Sequence, residues 1–108
     1  MEVHFEEVSR LQEVRVKEFD GSDQVVKETV FQADELEEEN AVSLDDGTQW
    51  LVVEECSTGG AVTRTVYSAQ EIQVTGELCH SLVALDERGM GYGRTLWLKQ
   101  KTPGALTA

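Results

Sequence analysis

Cysteine, proline, histidine and long apolar runs are all scarce in this chain, and each scarcity narrows the reading. Two cysteines, Cys56 and Cys79, make no disulfide framework in 108 residues. They read as free thiols of a reducing cytosol, a bridge being available only if their strands are neighbours. The single proline, Pro103, falls with Gly104 in a run of small residues that reads as a flexible tail over 103–108. No apolar stretch approaches the roughly 18–20 residues that span a bilayer. No basic segment leads into an apolar one as a signal peptide requires, so a cytoplasmic setting is expected.

Catalytic signatures are equally thin. Cys56 is outside any CxxC pair, and no HExxH, GxSxG or Walker sequence occurs. Only His4 and His80 supply imidazoles. His4 lies near Glu6 and Glu7, a weak metal signal that a solvated strand edge explains better. Cys79 and His80 are adjacent, so a strand puts them on opposite faces, where they cannot act as nucleophile and base. The run Gly89-Met90-Gly91-Tyr92-Gly93 lacks the lysine and following helix of a phosphate loop. It reads as a loop, with Tyr92 beside Arg88 and Arg94 either a contact point or folded back onto the sheet. Residues 34–40 lack the alternating ligands and central glycine of an EF-hand loop. No metal, cofactor or enzymatic activity is expected.

What the chain does have is acid, unevenly placed. The net charge is −12. Residues 1–55 carry seventeen acids against Arg10, Arg15, Lys17 and Lys27, a net of −13, while residues 56–108 sum to +1. That split implies a directional field rather than a uniform solubilising coat. It disfavours direct contact with nucleic acid or anionic membrane, whose phosphates it repels.

The length fits one domain, 1–102, able to bury about two-thirds of its unfolded surface without metal or disulfides. Residues 2–8 alternate as a strand, with a capping-box turn from Ser9 as the rival reading. Residues 12–19 and 24–32 form a hairpin about Asp20-Gly21, where glycine tolerates positive φ. Asp34 is placed to cap a short surface helix with Glu37 in its first turn, an acidic loop being the alternative. Residues 41–44 and 48–55 read as a second hairpin about Asp45-Asp46-Gly47. Trp50-Leu51-Val52-Val53, apolar on both faces, reads as a central buried strand. Residues 57–60 form the next turn and 61–67 the next strand. Ser68-Ala69-Gln70-Glu71 is a capping box that starts a helix near Ala69 and stops by Gly76. Residues 77–85 and 94–101 complete the pattern. The fold class is mainly β, with α+β as the variant: a small antiparallel β-sandwich or barrel of six to eight strands with one or two short helices.

Two functions follow from these features. In the first, Asp34, Glu35, Glu37, Glu38, Glu39, Asp45 and Asp46 form an acidic face that docks on a basic, nucleic-acid-binding surface of a partner protein. Carboxylates at i and i+2 of a strand lie about 6.7 Å apart on one face, much like a phosphate track. In size and charge the chain is similar to small acidic inhibitors encoded by phages and plasmids, including nucleic-acid mimics that block restriction or CRISPR complexes, although no motif places it in a family. In the second, the near-neutral half, with Leu96, Trp97 and Leu98, packs against a partner or symmetry mate in an assembly such as a phage particle. The plain alternative is that the acids keep a β-rich chain soluble and guard its edges.

Overall fold

The structure, a computed structural model, describes residues 10–85, 88 and 90–100. The expected first strand over residues 2–8, His4 and the 103–108 tail lie outside the described residues. The chain is mainly β, and its described residues form seven strands in two sheets: β1 (Leu11–Phe19), β2 (Val25–Gln32), β3 (Glu39–Leu44), β4 (Trp50–Ser57), β5 (Val62–Ser68), β6 (Glu77–Leu85) and β7 (Gly91–Gln100). One sheet runs β2-β1-β4-β5 and is antiparallel throughout; the other runs β3-β7-β6.

Alternation decides the inner faces. Val14, Val16 and Glu18 of β1 and Leu51 and Val53 of β4 point inward from the first sheet. They meet Val42 and Leu44 of β3, Leu82 of β6, and Leu96 and Leu98 of β7, all in one core. Burying a side chain of this size contributes about 1.5–3 kcal/mol. Leu96 and Leu98 are therefore core residues and do not offer a docking surface with Trp97. The run Trp50-Leu51-Val52-Val53 is central, with Leu51, Val52 and Val53 buried and Trp50 half-buried, because β4 lies between β1 and β5 while its inner face meets the second sheet.

Helix α1 (Ala69–Thr75) starts where the capping box puts it: Ser68 Oγ accepts from Gln70 N at 3.2 Å, and Glu71 accepts from Ser68 N at 3.0 Å. It ends at Gly76, whose φ of 85° is the left-handed conformation that favours glycine. Ile72, fully buried, and Ala69 fasten it to the core.

Three expectations need correction. The hairpin expected over residues 41–44 and 48–55 does not form: β3 lies in the other sheet from β4 and pairs with β7 in parallel, Val42 opposite Leu98. The Asp45-Asp46-Gly47 turn carries the chain across the core instead. Gly91-Tyr92-Gly93 is not loop but the start of β7, opposite residues 83–85 of β6. In the β1–β2 turn the positive φ belongs to Asp23 (61°), not Gly21. Asp20 Oδ1 accepts from Ser22 N and Gln24 N, and Trp50 Nε1 donates to Asp23 Oδ1 at 2.9 Å, so side chains hold the turn.

Candidate acidic docking surface

Residues 32–39 link β2 to β3 and cross from one sheet to the other. Gln32 N donates to Glu35 Oε1 at 3.2 Å, and Ala33–Glu35 forms one 3-10 turn. Asp34 is inside that turn and not its cap, so the expected helix from Asp34 through Glu37 is replaced by a turn that ends at Leu36 in an extended conformation. Leu36 is buried in the core. Asn40, also buried, donates from Nδ2 to Glu37 O at 2.9 Å and Thr95 O at 3.1 Å, and accepts Glu37 N at Oδ1. Thr95 N donates to Glu38 O at 2.9 Å. Two inward side chains thus pin a loop whose carboxylates all face water.

Asp34, Glu35, Glu37, Glu38 and Glu39 are all exposed. Among the described residues none of the five forms an ion pair. Asp45 and Asp46 do not join them. They follow Leu44, at the far end of the six-residue β3, which spans about 20 Å at 3.3 Å per residue. There they sit by the β1–β2 turn, since Asp45 N donates to Glu18 Oε1 at 2.6 Å and Gln49 N donates to Phe19 O. These seven acids therefore lie at two opposite ends of the sandwich, not on one face.

Between those ends the outer face of the first sheet neutralises itself. In register across β1, β4 and β5 stand Arg15, Glu54 and Arg64. Lys17 Nζ lies 3.0 Å from Glu54 Oε1, and Arg64 Nε 2.8 Å from Glu54 Oε2. Arg15 pairs with Glu13, which also accepts from Gln32 Nε2. The Lys17 ammonium, aided by Arg64, holds the buried Glu54 carboxyl below its ordinary value of 4.5 against the opposing effect of burial. Hydrogen bonds from Gln32 and then Arg15 lower Glu13 in the same way.

A depressed folded value fixes the sign of the pH effect. Stability from Glu54 is fully present above pH 4.5 and is lost as pH falls through its lower folded value. Urea midpoints of the wild type are expected to drop between about pH 5 and pH 3. Glu54→Gln is expected to flatten that slope while lowering stability at neutral pH; an unchanged slope in the variant would remove Glu54 as its source.

A second polar group was invisible in the sequence. His80 of β6 points inward and is 7% exposed. Its Nδ1 lies 2.6 Å from the Tyr67 hydroxyl of β5, and its Nε2 lies 3.2 Å from Glu55 Oε2 of β4. The three residues tie the edge strands of both sheets together. Burial, with the Glu55 charge second, raises Tyr67 above its usual range, keeping the phenol as a hydrogen-bond donor. No motif joins residues on three strands, so only the two-sheet topology could have found this set. Cys79, beside His80, faces outward and is exposed; Cys56 lies in the other sheet, and both are free. Arg94 sits over the half-buried Tyr92 ring at 4.4 Å, a cation–π contact within β7.

Among the described residues, no three His, Cys, Asp or Glu side chains are grouped to hold a metal, and no helix is long and apolar enough to cross a membrane. No protein-family model, curated protein or solved structure matches the chain.

Proposed function

We propose that this is a non-enzymatic binding protein whose acidic end docks on a basic, nucleic-acid-binding surface of a partner protein. The observation that carries the reading is the pinned loop: five exposed carboxylates, Asp34, Glu35, Glu37, Glu38 and Glu39, without an ion pair among the described residues, on a backbone held by Leu36 and Asn40. A loop already ordered costs little further entropy on binding. Glu37 and Glu39 flank a bend at Glu38, so three successive carboxylates stand exposed at the mouth of β3. Such a track can enter a lysine- and arginine-lined groove and displace its counterions as nucleic acid does. The narrower form of the proposal is an inhibitor of the phage or plasmid type that occupies a defence complex in place of nucleic acid. Asp45 and Asp46, at the opposite end, are left out of the docking surface.

Reversing Glu37, Glu38 and Glu39 to lysine tests the reading by surface plasmon resonance against an immobilised lysine- and arginine-rich peptide. At about 1 kcal/mol per reversed charge, affinity is expected to fall on the order of a hundredfold. Wild-type binding should weaken steeply with salt, and Asp45→Lys with Asp46→Lys should change it little. Capture that survives the triple reversal, or that ignores salt, overturns the proposal.

The assembly reading keeps one specific observation. On the outer face of the second sheet, Ala41, Trp97 and Cys79 stand in register, an uncharged row centred on Trp97. If this face joins copies, light scattering will show a mass that rises with concentration and returns to the monomer in Trp97→Glu. A wild type that stays monomeric at hundreds of micromolar removes that reading.

A further inference from the structure

Among the described residues β5 and β6 are edge strands of their respective sheets, and a cleft of about 280 Å³ opens between them. It lies at the same end as the acidic loop: Val83 and Leu85, on its wall, follow Ser81, which is in register with Thr95 and so with Glu39. Leu11 completes the apolar lining, while Glu55, Thr63 and Ser57 supply the polar groups.

Glu55 is unlike the acids of the loop. Its side chain is 21% exposed, and Oε2 is fixed by His80, which Tyr67 holds from the other side. Oε1 has no partner among the described residues, so one rigidly placed carboxylate oxygen is left without a donor. Ser57 Oγ donates to Ala61 O and keeps its lone pairs free to accept.

We infer that this cleft is an anchor pocket for a lysine side chain of the basic partner; the partner's identity as a basic protein rests on the reading above. The ammonium's three donors match Glu55 Oε1 and the Thr63 and Ser57 hydroxyls, while its methylene stem lies along Leu11 and Leu85. Arginine fits less well, because its planar fork needs two carboxylate oxygens and His80 already occupies one. Arg10 lines the same cleft, tied through its backbone to Thr58, and its charge opposes an incoming ammonium. Removing that charge therefore strengthens binding.

The test is an NMR titration of the full chain with N-acetyl-lysine methylamide, and with its norleucine and arginine counterparts. The lysine probe is expected to move the amides of Ser57, Thr63 and Leu85 in a saturable way, and the other two probes at least fivefold less. Glu55→Gln weakens the lysine probe at least tenfold, and Arg10→Ala strengthens it about twofold or more. Thr63→Lys, at an exposed strand position, fills the cleft with its own cation and abolishes binding while the His80 and Tyr67 resonances stay in place. Equal shifts from norleucine or arginine, or no effect of Glu55→Gln in a folded variant, overturn the pocket. A lysine-rich peptide that depends on Glu37, Glu38 and Glu39 but ignores Glu55 removes the pocket and leaves the docking loop standing. A single-lysine probe seated in the cleft, with peptide capture indifferent to the loop, does the reverse.

Discussion

Glu18→Leu is expected to lower the free energy of unfolding by about 3 kcal/mol, while Glu18→Gln stays within about 1 kcal/mol of the wild type. Glu18 is fully buried. Its Oε1 accepts from Asp45 N at 2.6 Å and from the Thr48 hydroxyl at 2.8 Å. Thr48 is itself 2% exposed, so leucine would strand its hydroxyl away from water and also leave the Asp45 amide without its acceptor. Each such loss costs about 1–3 kcal/mol. Glutamine keeps the acceptor in place, and at Oε2, which has no partner among the described residues, it exchanges a carboxylate oxygen for a neutral amide that is less costly to bury. Urea unfolding at pH 7 with an unchanged m-value reads the difference directly. A leucine variant as stable as the wild type would show that the β3–β4 crossing does not depend on this side chain.

His80→Leu is the second large effect, with an expected loss of about 2–3 kcal/mol. Leucine fills similar space, so the cost arises from the half-buried Tyr67 hydroxyl and Glu55 carboxylate, each left without its partner. Tyr67→Phe alone should cost about 1 kcal/mol, because it removes one hydrogen bond and leaves the imidazole Nδ1 unmatched. The double variant should fall short of the sum of the two, since both remove the same 2.6 Å contact. Strict additivity would mean that the contact contributes nothing to holding β5 against β6.

Local signals in the sequence were strong where one short segment decides its own structure. The Ser68 capping box and Gly76 set both ends of α1, and the doubly apolar run of β4 marked the centre of its sheet. The β3–β4 connection was not legible, because Asp45-Asp46-Gly47 offers the same turn chemistry to a hairpin and to a crossing. What separates them is Glu18, twenty-seven residues from Asp45, reaching up from β1 to accept the turn's amide. The alternation of Asn40, Val42 and Leu44 predicts an inner face but not which sheet owns it. The same ambiguity misplaced Asp45 and Asp46 beside residues 34–39, since closeness in sequence hid an intervening strand. The Glu55, Tyr67 and His80 cluster could not be read at all, because Cβ directions on three separate strands converge only after the sheets have stacked.

The parallel pairing of β3 with β7 also sets an order of events as the chain emerges from the ribosome. The first sheet uses β1, β2, β4 and β5, so every strand it needs is available by Ser68. In the second sheet β7 lies between β3 and β6, and neither has another strand partner among the described residues. β3 must therefore wait some fifty residues of synthesis, from Leu44 to Gly91, for its neighbour to arrive. Until then Val42 and Leu44 have only the inner face of a half-built sandwich to cover them. Long-range pairing of this kind slows folding and leaves a strand edge exposed to other nascent chains, so the interval between β6 and β7 is where this protein is most open to aggregation.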